Sequence, residues 1–530
     1  MRSSARQRSS LGWWSAPPLI LIALFFYYPL SRILALGFGW SEPVSFGFPH
    51  WLAISWFTLW QAVASALLAV LVGLVFAYLL YRKTVPGAGV WRALTLVPFV
   101  MPILVIAIGI HTFQIGNVLP GVFWILTAHV LIDAPLTINL VGTFWASQDH
   151  QVEEAAAIDG AGRMRTFLAV TVPMLRPALV SAFTLTLIFC ASSFGAILLL
   201  GDTGTGTLET AIYRVSSAYL DLRGASILAV TQLALVAAAA AAARLLGASG
   251  RVTSVETTDR TARVDRRDWP VVAMGVMLAA LAVAPFLRVL WLSVSTPTGV
   301  SLSNFDALGS TGARQLLNLS VLEAIDNSLR NGLLVAVLAV TLGTLTGYLI
   351  ARLRAGAFKY ILNLAYILPL GVSSVVIGFG YLIGFDAPPF EFRASWLVVP
   401  LAQAVIALPL VVTMTGNALS GIDPELLDAT ATDGASRWQQ FRYLEFPLIA
   451  PTIGVAASFA AVIAIGDFGA SSFLAYGDQE TLPQVLFRLI SRPGPQNFGM
   501  AMAAAALLMI VSAAPLALAG IATLRKRSDR

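Results

Sequence analysis

The chain has 530 residues, 58% of them hydrophobic and only 11% charged. That balance lies far from a soluble average and belongs to a polytopic membrane protein. Its net charge of +6 comes from arginine-rich loops, which the tendency of basic loops to stay cytoplasmic explains without any nucleic acid. The single cysteine, Cys190, lies in an apolar run, so no intrachain disulfide or thiolate metal cluster is expected, and it reads as a small buried hydrophobe. None of the three lysines, Lys83, Lys359 and Lys526, follows a glycine. A phosphate-cradling G-x-x-x-x-G-K-[ST] loop is therefore absent, and this chain does not hydrolyse ATP by that route.

Taken in order, a basic start (Arg2, Arg6, Arg8) leads into an apolar run from about Pro17 to Gly37, long enough to be a first span rather than a cleaved signal. Further spans are expected near Phe57–Tyr81, Ala93–His111, Phe123–Trp145, Pro173–Leu200 and Ala225–Leu246. Residues 247–268 are polar and carry nine charges, among them Arg251, Asp259, Asp265 and Arg267. They read as a linker. Six more spans follow, near Val271–Leu292, Asn327–Ala351, Ile361–Ile383, Leu397–Leu419, Ile449–Leu474 and Gly499–Leu524. The expected fold is all-α, with about 12 transmembrane helices. It divides into a first half at 1–246, a cytoplasmic linker at 247–268 and a second half at 269–530. Arg82, Lys83 and Arg92 fall on the same side as both termini, whereas Ser41–Trp56 and Thr112–Pro120 contain no Lys or Arg. Both ends are thus expected in the cytoplasm of a cell-membrane protein.

One polar loop is written twice. Glu154-Ala155-Ala156-Ala157-Ile158-Asp159-Gly160 is followed by Pro173, and Asp428-Ala429-Thr430-Ala431-Thr432-Asp433-Gly434 by Pro447, each position 274 residues on. Asp149 and Asp423 suit helix N-caps. Pro424 suits a first helical position, and Glu425 a first turn. Short helices are expected over Gln151–Asp159 and Pro424–Asp433, stopped by Gly160 and Gly434. Ala155, Ala156, Ala429 and Thr430 form a small-residue face. The repeat extends further: Phe194-Gly195-Ala196 recurs as Phe468-Gly469-Ala470, Pro135 as Pro409 and Gly142 as Gly416. Gly73, Tyr78 and Arg82 recur as Gly343, Tyr348 and Arg352 at an offset of 270. Six spans in each half make this a parallel repeat.

The duplicated loop resembles the Glu-Ala-Ala loop of permease subunits in binding-protein-dependent ABC importers. Copy one matches at Glu154, Ala155, Ala156, Gly160 and Pro173. Copy two keeps Ala429, Gly434 and Pro447 but has Asp428 for Glu and Thr430 for the second Ala. The resemblance implies two permease subunits of type I ABC importer architecture fused into one chain. It implies that each loop is a coupling helix docking on one of two copies of a cytoplasmic ABC ATPase, which uses the ATP, and that a separate binding protein delivers the solute. No cofactor is expected on this chain. The stretches Thr207–Arg214 and Ile465–Gly469, the latter leading to Thr481-Leu482-Pro483, resemble the thiamine and ferric-iron group, with thiamine favoured and ferric iron next.

Ionisable groups in apolar runs are functional candidates by default. Asp467, its counterpart Ser193, and Asp133 are the candidates for a substrate pathway, set against a structural reading as interhelical hydrogen-bond partners. His129 reads as a satisfied interhelical bond. Pro98, Pro102 and Pro369 are expected to kink spans. No Ser-His-Asp set, paired carboxylates or metal motif appears, so no enzyme is expected. The competing reading is a twelve-span secondary transporter, which would have no use for matched glycine-stopped loops.

Overall fold

A computed structural model of the chain describes residues 16–39, 43–95, 97–114, 119–202, 204–247, 262–297, 299–353, 356–386, 390–492 and 494–528. The basic start and most of the linker, including Arg251, Glu256, Asp259 and Arg260, lie outside them. The described chain is helical apart from two strand pairs of two residues each.

Among the described residues, ten helices are long and apolar enough to cross a membrane. A further pair, Ala357–Gly371 and Ser374–Gly384, passes the same test only jointly and is bent by 103° at its break, as a broken span or a re-entrant loop would be. The equivalent region of the first half, expected as one span over 93–111, is interrupted at Met101 and Pro102, between Val97–Val100 and Ile103–His111. The break follows from local chemistry. Pro102 sits before the last of these pieces and Pro369 inside the bend, and a proline removes an N–H and crowds the preceding turn. The third apolar stretch of each half is therefore broken, while its composition reads as continuous.

The helices meet at small residues. A Cβ on Gly73 would lie 2.5 Å from Thr137 Cβ, so helix Phe48–Ala77 can approach Gly121–Ala146 closely. In the second half a Cβ on Gly343 would lie 2.7 Å from Val411, and one on Gly347 2.5 Å from Thr415 Oγ1. Thr137 and Val411 are 274 apart, so the two halves cross their helices at the same register. With no hydrophobic drive between helices in lipid, such close backbone approach supplies the dispersion and hydrogen bonding that hold a bundle together.

The chain forms two compact units that interleave along the sequence: Met1–Ser45, Ile212–Val230 and Leu290–Arg530 in one, and Phe46–Ala211 with Thr231–Val289 in the other. In the first unit the N-terminal helix packs onto the Ser374–Gly384 helix. Tyr27 donates to the Ala365 carbonyl at 3.2 Å and Tyr28 to that of Gly384 at 3.1 Å. A Cβ on Gly380 would meet Pro29 at 3.1 Å. In the second unit, helix Trp269–Val294 places Pro285 against Gly109 and Gly275 against Leu79. The first span of each half thus packs with the body of the other.

Candidate functional site

The two repeated loops fold alike, atom for atom at their ends. The first helix runs His150–Ile158 and the second Pro424–Thr432. Asp149 accepts from the Gln151 amide at 3.0 Å, and Asp423 from the Glu425 amide at 2.9 Å. Each thereby satisfies one of the donors that a helix start leaves free. At the other end Gly160 has φ +81° and Gly434 φ +83°. The Gly160 amide donates to Ala157 O and that of Ala161 to Ala156 O; in the second loop Gly434 donates to Ala431 O and Ala435 to Thr430 O. This is the paired pattern of a helix stopped by a left-handed glycine. Each loop then re-enters the bundle through a π-helical turn, Phe167–Thr171 and Phe441–Glu445, again 274 apart.

Exposure repeats as well. Glu154 and Ala155 are exposed and Ala156 is half-buried; Asp428 and Ala429 are exposed and Thr430 is half-buried. The extra hydroxyl of Thr430 turns back to the Leu427 carbonyl at 2.9 Å, so the departure from alanine adds little polarity to the outer face. Around these helices stand large apolar side chains in water-accessible positions: Ile158 at 86% and Met164 at 70% in the first loop, Trp438 at 69% and Tyr443 at 77% in the second. An open cleft of about 400 Å³ lies beside the second helix, lined by Thr430, Asp433, Gly434 and Tyr443 among others. Each loop by itself thus carries exposed apolar groups beside its helix.

The helices are tied to the bundle differently. In the first half Arg82, at the end of the second span, pairs with Glu153 of the loop helix, and Thr171 donates to the same carboxylate at 2.9 Å. In the second half Arg352 pairs with Glu445 at 2.5 Å and donates to the Leu419 carbonyl at 3.2 Å. Position 427, the counterpart of Glu153, is Leu427, which packs against Leu419, Ile422 and Ile449. Position 445 is the counterpart of Thr171. The carboxylate that answers the arginine has thus moved from the loop helix to the π-turn. Sequence reading matched the two arginines but found neither Glu153 nor Glu445, because no identity survives at either position.

The family described as the binding-protein-dependent transport system inner membrane component matches this chain twice, over residues 69–293 and 339–527. The chain belongs to that family. It is a fused permease of two halves, and the double match removes the ground for a secondary carrier. The thiamine transport system permease protein ThiP of Brucella abortus (strain 2308) is 28% identical over 524 residues, covering 92% of each chain. ThiP of Escherichia coli (strain K12) is 24% identical over 519 residues, covering 92% of this chain and 93% of its own. A solved bacterial ABC transporter involved in the import of the acidic polysaccharide alginate matches 49% of this chain and 96% of its own, with 18% identity and a TM-score of 0.40, a likeness too loose to carry detail.

The permease also buries polar groups at matching levels in each half. In one unit Asp467 follows the end of helix Phe446–Gly466, ahead of the short helix Ser471–Leu474. It accepts from the amides of Ala470 at 3.3 Å and Ser471 at 3.1 Å, and from Gln403 Nε2 at 3.4 Å. In the other unit His129, the counterpart of Gln403, bonds through Nδ1 to Ser65 at 2.9 Å, and Asp133 accepts from Cys190 at 3.1 Å. Ser193 lies in the equivalent helix break, buried, with no protein partner for its hydroxyl among the described residues. The Asp467 carboxylate is thus already engaged at a helix break, which favours its structural reading over solute contact. Gln403 was missed because an amide in an apolar run carries no charge to draw notice.

Proposed function

We propose that this permease imports thiamine. A separate binding protein hands over the solute, and two copies of a cytoplasmic ATPase engage the helices around Glu154, Ala155, Ala156 and Gly160, and around Asp428, Ala429, Thr430 and Gly434. ATP binding draws the two ATPase copies together, carries both helices with them, and switches the bundle between inward-open and outward-open states. What carries the reading is the pair of identically capped, exposed helices at equal spacing, since two-site coupling needs rigid joints that move as one. The solute rests on the ThiP relatives, whose coverage extends over nearly the whole of both chains. Asp133, Ser193 and Asp467 are kept as pathway candidates, with Ser193 the one whose hydroxyl is unengaged among the described residues.

The deciding experiment purifies the binding protein that delivers to this permease and identifies its ligand by mass spectrometry. Thiamine is expected. Ferric iron would move the assignment to the neighbouring solute group, and an unrelated ligand would end it. Both termini are placed in the cytoplasm. Cysteines engineered at positions 5 and 528 are then expected to resist an impermeant maleimide until cells are lysed, and labelling in intact cells would reverse the orientation.

A further inference from the structure

The first half's loop region is held in part by the linker between the halves. Asp268, the last residue of the inter-half linker, is 2% exposed. Its carboxylate receives Lys83 Nζ at 2.7 Å, the Tyr78 hydroxyl at 2.9 Å and Arg163 at 3.3 Å. Asp265 receives Arg163 as well, at 3.4 Å. The backbone joins in: Lys83–Thr84 pairs as a two-residue parallel strand with Ala262–Arg263 of the linker. Asp265 and Asp268 also cap each other's turn, the Asp265 amide donating to Asp268 Oδ2 at 2.9 Å. Burial works against the Lys83 ammonium, but Asp268 and Tyr78 more than offset it and raise its pKa above the usual lysine value. Three elements therefore converge on one acid: the end of the second span, the linker, and the short helix Arg163–Thr166 that follows the first coupling helix.

The second half ties the same two elements without a linker residue: among the described residues, Glu445 of the re-entry turn itself pairs with Arg352 at the end of the second span. Lys83 corresponds to Leu353, and no carboxylate pairs with Arg437, the counterpart of Arg163, among the described residues. We infer that the linker is a strut: through the positioning residue Asp268 it fixes the re-entry segment of the first coupling helix to the end of the second span. The covalent joint between the halves then has a mechanical task at the first coupling helix. For ATPase coupling this rests on the function proposed above.

The test uses the full chain in nanodiscs with a nitroxide on Met164→Cys or, in separate samples, on its counterpart Trp438→Cys, both strongly exposed. Asp268→Asn is expected to raise the mobile population at 164 about tenfold, the order set by loss of a charged hydrogen bond, and to leave 438 unchanged. Arg163→Gln, on the surface and harmless to folding, should act in the same direction at 164. Arg165→Gln read at 164, an exposed change beside the label, supplies the baseline. No change at 164 in either variant, or equal changes at both labels, overturns the strut. With the ATPase bound, Asp268→Asn is expected to lower solute-stimulated hydrolysis while the amount of ATPase recovered stays at the unsubstituted level. If the unsubstituted chain recovers no ATPase, the functional proposal fails, and the label result still decides the strut.

Discussion

Replacing Gly160 and Gly434 together by valine is expected to leave the permease in the membrane, yet to abolish most solute stimulation of the ATPase. The reason is conformational. With φ at +81° and +83°, both positions lie in the left-handed region, where a residue with a Cβ costs about 1–2 kcal/mol. A side chain there meets nothing within 4 Å at either site, so the penalty is in the backbone and not in space. Relieving it means surrendering the bonds from Gly160 and Ala161 to the last helical turn, and their equivalents at Gly434 and Ala435. Helices of only nine residues are marginal without their ends. The cost is small for the whole fold but comparable to an allosteric coupling of about 1–3 kcal/mol. Asparagine tolerates this region, so Gly→Asn at both sites should stay close to the unsubstituted chain, with alanine between it and valine. Co-purification and stimulated hydrolysis in liposomes measure the series. Full stimulation in the double valine variant would remove the coupling role of the loops, and asparagine as harmful as valine would refute the backbone explanation.

Arg352→Met is expected to cost more stability than Arg82→Met, although the two arginines are equivalent in the repeat. Removing Arg352 strands Glu445, whose side chain is 3% exposed and whose second oxygen has no partner among the described residues. Breaking a buried pair from one side costs about 3–5 kcal/mol. Removing Arg82 leaves Glu153, whose side chain is 28% exposed and which keeps Thr171, so water takes over and the loss falls to about 1–2 kcal/mol. Neutralising both partners in Arg352→Met with Glu445→Leu should recover most of what the single change loses. Thermal midpoints in detergent, followed by size-exclusion chromatography, order the three variants. Equal midpoints for the two single variants would show that the exchange of carboxylate position has no energetic meaning.

The features legible in the sequence were those with a local cause. Asp149 and Asp423 as caps, and Gly160 and Gly434 as stops, follow from side-chain chemistry within four residues, and the helix ends fall within one residue of expectation. The long spans followed from apolar length alone. Features with no local cause were invisible. Arg82 and Arg352 align, but the carboxylates that meet them sit at 153 and 445, and a comparison that seeks identity discards both. The break within each third apolar stretch showed only as Pro102 and Pro369. The apolar run around Asp467 left a pathway acid and an interhelical hydrogen-bond partner both open. What engages its carboxylate is a backbone break supplying free amides at Ala470 and Ser471, which composition does not register.

The interleaving of the two units sets an order of events during synthesis. The hydroxyl of Tyr27 finds its acceptor 338 residues downstream, and the helix of Tyr27 and Tyr28 docks on one ending at Gly384. At about 5–20 residues per second, the first helix waits roughly 17–70 s for its partner to emerge. Throughout that interval its inward face, with Pro29 and Ile33, is shielded only by lipid or by a membrane chaperone. A nascent chain halted at the linker would hold an orphan helix, and quality control would meet it there.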